Sequence, residues 1–206
     1  MASVQLIAQS SDMTAAEVIF SSGHRAFTII THASHVVVAW INYVVQSYAP
    51  PANSRQVVGL HIERASRNGT IALLELCVCN LCLVYQLRHR SDLHPPVRLY
   101  EFLNDDRFCF AGVAVVQAMI SLRREYALMV RAAVDLGDTA SRRLQREDLQ
   151  LARLDQLARA VLRIEIIRTD EVPRSVLLER VLLLQHIPDA CTGAVFSYEI
   201  CRNLLG

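Results

Sequence analysis

The stretch Thr70–Leu87, TIALLELCVCNLCLVYQL, constrains the fold more than any other part of the chain. It is almost continuously apolar, and it reads as a long pair of buried strands broken near Asn80. Just before it stands QVVGLHIER, residues 56–64, a further strand whose Val57, Val58, Leu60 and Ile62 are apolar. A turn at Arg67-Asn68-Gly69 separates the two. His61 and Glu63 interrupt the first strand, and alternation puts both side chains on one of its faces. Two ionisable groups on one face of a central strand mark a candidate site.

The remaining segments alternate. AEVIFSSGHRAFTIIT predicts a hairpin around Ser21-Ser22-Gly23. ASHVVVAWINYVVQSY has helical spacing, with Val36, Trp40 and Val44 on one stripe, and APPANS is a loop. PPVRLYEFLND predicts a helix with Pro at its start. RFCFAGVAVV reads as another buried strand, QAMISLRREYAL as a helix and VRAAVDL as a short strand. Residues 141–163 give the clearest amphipathic helix, with Leu144, Leu151, Leu154, Ala158 and Val161 as its stripe. Pro173 breaks the chain, and SVLLERVLLLQHI and CTGAVFSYEICRNLL are predicted to finish it as helices. A strand meander followed by alternating helices and strands is an α/β layer architecture in a single domain. Residues 1–16 are expected to be an N-terminal tail and 17–206 the folded domain.

Composition excludes several classes. The formal net charge is +1, which is no footprint for a strong nucleic-acid binder. All 21 basic residues are Arg, a side chain suited to planar, bidentate contacts. The hydrophobic fraction of 52% and the mean hydropathy of +0.26 imply a large core plus an apolar contact surface. No apolar run reaches the roughly 18 residues that span a bilayer. The N-terminus lacks a basic segment ahead of an apolar core, so secretion is not expected; the nucleus and/or cytoplasm is. Alternation puts Cys77 and Cys79 on one face and Cys82 on the other, which suits core thiols in a reducing compartment. No second Cys/His pair has zinc-ligand spacing.

In order along the chain, VVGLHIER, LELCVCNLCLVYQL, FLNDDRFCFAGVAVVQAMISLRREYAL, AVDL with ARLDQLARAVL, and DACTGAVFSYEICRNLL resemble the plant branch of the Werner syndrome-like 3′–5′ exonucleases. That group lies within the DEDD superfamily. The resemblance runs from about residue 17 to the end. It implies a ribonuclease H-like mixed β-sheet flanked by α-helices. It also implies a site in which carboxylates hold two divalent metals about 4 Å apart for phosphodiester cleavage.

Measured against that resemblance, most of the acids are replaced. His61 stands at the first-motif Asp position and Glu63 survives. Ala118 stands at the second-motif Asp position, Gly193 at the third, and Asp189 where the family has Tyr. Such a set cannot hold two Mg²⁺ ions, so no cofactor is expected; Mg²⁺ or Mn²⁺ is expected only if a residual site works. A rebuilt single-ion site at His61, Glu63 and Asp189, with His186 nearby, is the alternative. Asp189 has a second reading as a helix cap. Val116, Ala118 and Met119 would make the former cleft wall apolar, and Gly193-Ala194 would open space opposite. That leaves either a packed-shut hole or a groove for a partner. Arg123, Arg124, Arg142, Arg143 and Arg146 are the candidate nucleic-acid contacts, although Glu125, Glu147 and Asp148 interleave them. The leading expectation is a catalytically inactive exonuclease-like protein acting through protein contacts or self-association, with no membrane role. A non-cleaving binder of single-stranded nucleic acid and a residual metal-dependent exonuclease are the alternatives.

Overall fold

The computed structural model describes residues 2–65, 69–166, 179–180 and 182–206. Eight strands form one sheet: β1 (Ser3–Gln9), β2 (Met13–Ile19), β3 (Arg25–Thr31), β4 (Gln56–Arg64), β5 (Ile71–Val78), β6 (Leu81–Tyr85), β7 (Phe108–Gly112) and β8 (Ala133–Asp135). Their order is β1-β2-β3-β6-β5-β4-β7-β8. β4 runs antiparallel to β5 and parallel to β7; β5 is antiparallel to β6, and β7 parallel to β8. Counted from β4, this core has the order 3-2-1-4-5 with an antiparallel and a parallel half, the arrangement of the ribonuclease H-like fold. β3 joins it parallel to β6 and carries β2 and β1 outward as an antiparallel extension.

Helices cover both faces, as a sheet buried on each side requires. α1 (Ser34–Ser47), α2 (Val97–Leu103) and α3 (Val115–Tyr126) pack on one side over Val58, Leu60, Leu74, Leu76, Leu83 and Phe110. α4 (Leu136–Leu144), α5 (Leu154–Leu157) and the long α6 (Ile187–Leu205) pack on the other over Ala16, Val18, Ala26, Cys77 and Cys82. The expected stripe of α1, Val36, Trp40 and Val44, is buried. α2 begins after Pro96, whose ring fixes a φ of −65°.

Four expectations change. Within the expected tail, residues 3–9 form a strand, and the first strand of the expected hairpin begins earlier, at Met13. Their alternation is faint because β1, at the sheet edge, is exposed on both faces. Cys77 and Cys82 face each other across the β5–β6 hairpin and share a face; Cys79, at φ 54°, lies in the turn, where alternation stops. α3 begins at Val115, so Val115 and Val116 belong to a helix and not to the preceding strand. The left-handed Ala114, φ 49°, makes that switch.

The long helix over 141–163 is divided. α4 ends at the left-handed Gln145, φ 54°, and the chain turns through Glu147–Leu149 before α5. A π-helical turn, Ala158–Leu162, continues α5 and stops at the left-handed Arg163. The fold-back brings the Gln150 carbonyl against Gly137, where a Cβ would overlap it. It buries Leu149, Ala152, Leu154 and Leu157 and leaves Leu151 94% exposed. Most of the helix expected at 175–187, with Pro173 and the greater part of the Arg67–Gly69 turn, lies outside the described residues. No described helix is long and apolar enough to cross a membrane.

Candidate functional site

β4 and β5 pair so that His61 stands directly opposite Glu75, with Glu63 two residues further along the same face. α6 crosses that face closely. A Cβ at Gly59 would overlap the Ala194 carbonyl oxygen and lie 2.7 Å from the Tyr198 nitrogen, so glycine is required where helix and strand touch. The same crossing places Gly193 over His61. A Cβ at 193 would overlap the imidazole ring and lie 2.7 Å from the His61 Cβ. The ring therefore occupies the volume into which any side chain at 193 would project.

The three ionisable groups form one cluster. His61 Nε2 is 3.3 Å from Glu63 Oε1, and their side chains are 25% and 14% exposed. Glu75 is fully buried, and its Oε2 accepts a hydrogen bond of 3.2 Å from the Ala194 N–H of α6. One ligand atom from each of His61, Glu63 and Glu75 lies within 4.8 Å of the others. Two carboxylates this close repel unless a proton or cation stands between them. The imidazole and the helix N–H are the compensating groups in place.

One nitrogen and two carboxylates can serve as donors to a single transition ion. They do not fit the two-Mg²⁺ centre that the sequence resemblance implies, which needs hard oxygen donors converging from several elements. At two of the positions where the sequence resemblance would put an acid, this chain has Gly193, covered by His61, and Ala118. Ala118 is buried in the apolar cluster on the α1–α3 side, beside Val115 and Leu122.

Asp189 is not among the three residues whose ligand atoms lie within 4.8 Å of one another. It lies buried in the first turn of α6 and is not its N-cap, a position held by His186. His186 is buried, with its Nε2 3.1 Å from the Gln185 side-chain nitrogen. The space expected to open at Gly193 is filled by the His61 ring. Val116 and Ile120, one helical turn apart on α3, are exposed. Glu75 escaped the sequence reading. The available signal was its position as the single charged residue in an otherwise apolar run.

The arginines are spread over several elements. Arg124 pairs with Glu125 at 3.0 Å, and Arg123 is exposed beside it on α3. Arg142 and Arg143 are exposed in the last turn of α4. Arg146 is held by Asp148 at 2.6 Å and borders a cleft of about 450 Å³ with Arg159 and Arg163.

A second polar junction ties α3 to the sheet. Glu125 accepts from the Ile71 N–H at 2.7 Å, from Arg64 at 3.0 Å and from Arg124 at 3.0 Å. Burial alone would raise its carboxyl pKa; the Ile71 amide and the Arg124 and Arg64 guanidinium groups outweigh that and hold it below the usual value.

No family model matches this chain, and no curated protein matches it. Among solved structures it is similar to the exonuclease domain of EXD2. With the crystal soaked in Mg and dGMP, identity is 20% and the TM-score 0.49, over 88% of this chain and 90% of that one. With the crystal soaked in Mg and GMP, the values are 19% and 0.48, over 87% and 88%. For the domain without a soak they are 19% and 0.48, over 87% and 94%. The fold class here rests on the strand order and directions of this chain's own sheet.

Proposed function

We propose that this chain is a non-cleaving, exonuclease-like domain, a degenerate relative of the plant Werner syndrome-like enzymes, that acts through contacts with protein. The observation that carries this reading is the interlock of His61 with Gly193. The His61 ring fills the space into which a carboxylate at 193, one of the positions where the resemblance calls for a metal-binding acid, would project, so no acid can stand at 193 while the imidazole is there. Glu63, the surviving acid, is engaged by His61, and Glu75 hydrogen-bonds to α6. A residual single-metal exonuclease is the second reading, favoured by the proximity of the three donors.

The test is calorimetric titration with Mn²⁺ and with Mg²⁺, alongside degradation of a 3′-labelled single strand by the same sample. The expected result is no shortening with either ion. Shortening that Glu63→Gln or Glu75→Gln abolishes would overturn the proposal in favour of a one-metal enzyme. Salt-dependent binding of the intact strand, weakened by Arg142→Ser with Arg143→Ser, would instead establish a nucleic-acid binder and remove the protein-contact reading.

A further inference from the structure

The helical layer on the α1 side is narrower than the sheet beneath it. Along β3, Ala26, Thr28 and Ile30 turn toward α6 and are buried, whereas Phe27 and Ile29 turn toward α1 and are only half-buried. Between this strip and α1 lies a cavity of about 520 Å³, walled by Phe27, Ile29, Trp40, Tyr43 and Tyr48, with Asn80 from the β5–β6 turn. The volume falls in the 300–1,000 Å³ range of small-molecule sites. Phe27 and Ile29 turn to the face opposite that of the His61–Glu63–Glu75 cluster, so the cavity is separate from the site described above.

The walls define the ligand. Trp40 is braced from behind by Phe102, edge to face at 6.1 Å, and Tyr43 meets Tyr48 edge to face at 6.3 Å. Such faces and edges favour a planar ring. No arginine, aspartate or glutamate is among the lining residues, and His35 is 3.6 Å from Asp12. An anionic ligand therefore meets no arginine to offset its desolvation. The Asn80 amide also lines the cavity.

We propose that this cavity binds a small, uncharged, planar aromatic molecule. The site is on the opposite side of the sheet from the carboxylates and is independent of their chemistry.

Trp40 is the single tryptophan of the chain, so it reports on the cavity directly. The probe is N-phenyl-1-naphthylamine, a neutral two-ring fluorophore, titrated into the whole protein. Saturable 1:1 binding is expected, with quenching of Trp40 emission and a shift of the one indole N–H resonance. Ala39→Phe, at an exposed lining position, would fill the cavity and weaken binding by about tenfold or more. The same rings bearing a sulfonate, 8-anilinonaphthalene-1-sulfonate, should bind more weakly than the neutral probe. Lack of saturation, or binding that leaves the indole resonance unmoved, would overturn the site. Because that resonance is read on the unaltered protein, the result stands even if Ala39→Phe fails to fold. An Ala39→Phe protein that melts normally and binds as before would also overturn it, and equal affinity for the sulfonate would overturn the uncharged ligand class.

Discussion

His61 and Gly193 carry the sharpest consequence of this structure at the scale of single residues. Placing any side chain at 193 drives it into the imidazole, and α6 already crosses β4 in backbone contact at Gly59, so the added atom meets the ring unless the helix gives up that contact. Gly193→Ala should therefore destabilise the fold by roughly 1–3 kcal/mol, the usual cost of overpacking. His61→Ala in the same chain should recover most of that loss, because the added methyl then occupies the volume the ring vacates. Urea denaturation of the wild type, the two single variants and the double variant gives the coupling directly. Additive losses would show that the ring and the helix do not share space. The pairing of His61 with Glu63 was legible in the sequence, since alternation alone puts them on one face. Glu75 was not, because its partnership with His61 depends on the register of β4 against β5, which the turn between them sets and no periodicity reveals. Asp189 was assigned to the site on resemblance alone; it lies in the first turn of α6 and is not one of the three residues whose ligand atoms lie within 4.8 Å of one another.

At the scale of elements, the strands and the helices with one clean stripe follow from their patterns. α1 is one example, and the β5–β6 hairpin with its break at Asn80 is another. The segment after Leu144 does not follow. Its leucines continue at helical spacing, but Gln145 and Arg163 adopt left-handed conformations usually left to glycine, and neither residue type announces that. The contacts around α4 are at its start: Asp135 caps the N-terminus by accepting from the Gly137 and Asp138 N–H groups and also holds the Val115 N–H of α3, while the fold-back after Gln145 brings the Gln150 carbonyl over Gly137. Polar links of this kind seat the helices on the sheet, and Glu125 is the one with a pH signature. Its folded pKa is depressed below the ordinary 4.5, so the stability it adds is fully present above that value. It is lost as pH falls through the lower folded pKa. Glu125→Gln should cost about 1–3 kcal/mol at pH 7, since it weakens charge-assisted hydrogen bonds at a buried junction. The gap between variant and wild type should narrow as the pH is lowered below 4.5. A gap that is constant from pH 7 to pH 3 in urea titrations would mean that the carboxylate charge contributes nothing.

At the scale of the whole molecule, the sheet divides two environments. The face toward α6 holds a polar cluster within an apolar layer, and the face toward α1 holds the apolar cavity. The six cysteines differ in burial, and that difference is a measurable property. Cys77, Cys82, Cys191 and Cys201 are buried, while Cys79 and Cys109 are partly exposed, and all six are free thiols. Burial pushes the Cys201 thiol up to about 12 and the Cys82 thiol well above its usual value. A thiol reacts as its thiolate, so both are inert near neutral pH on electrostatic grounds as well as by exclusion of reagent. Cys82 and its cross-strand partner Cys77 lie at the centre of the sheet, and Cys191 and Cys201 lie on the helix that spans it, so none of the four can be reached by fraying of an edge. Labelling of the native protein with Ellman's reagent at pH 8 should therefore show Cys79 and Cys109 reacting first. The other four should follow together, at the rate of global unfolding. Mass-spectrometric counting separates the phases. If Cys191 and Cys201 react ahead of Cys77 and Cys82, then α6 detaches from the sheet as a unit. In that case the His61–Gly193 contact would be broken many times before the domain unfolds, and the cluster beneath it would be open to solvent and ions in the native ensemble.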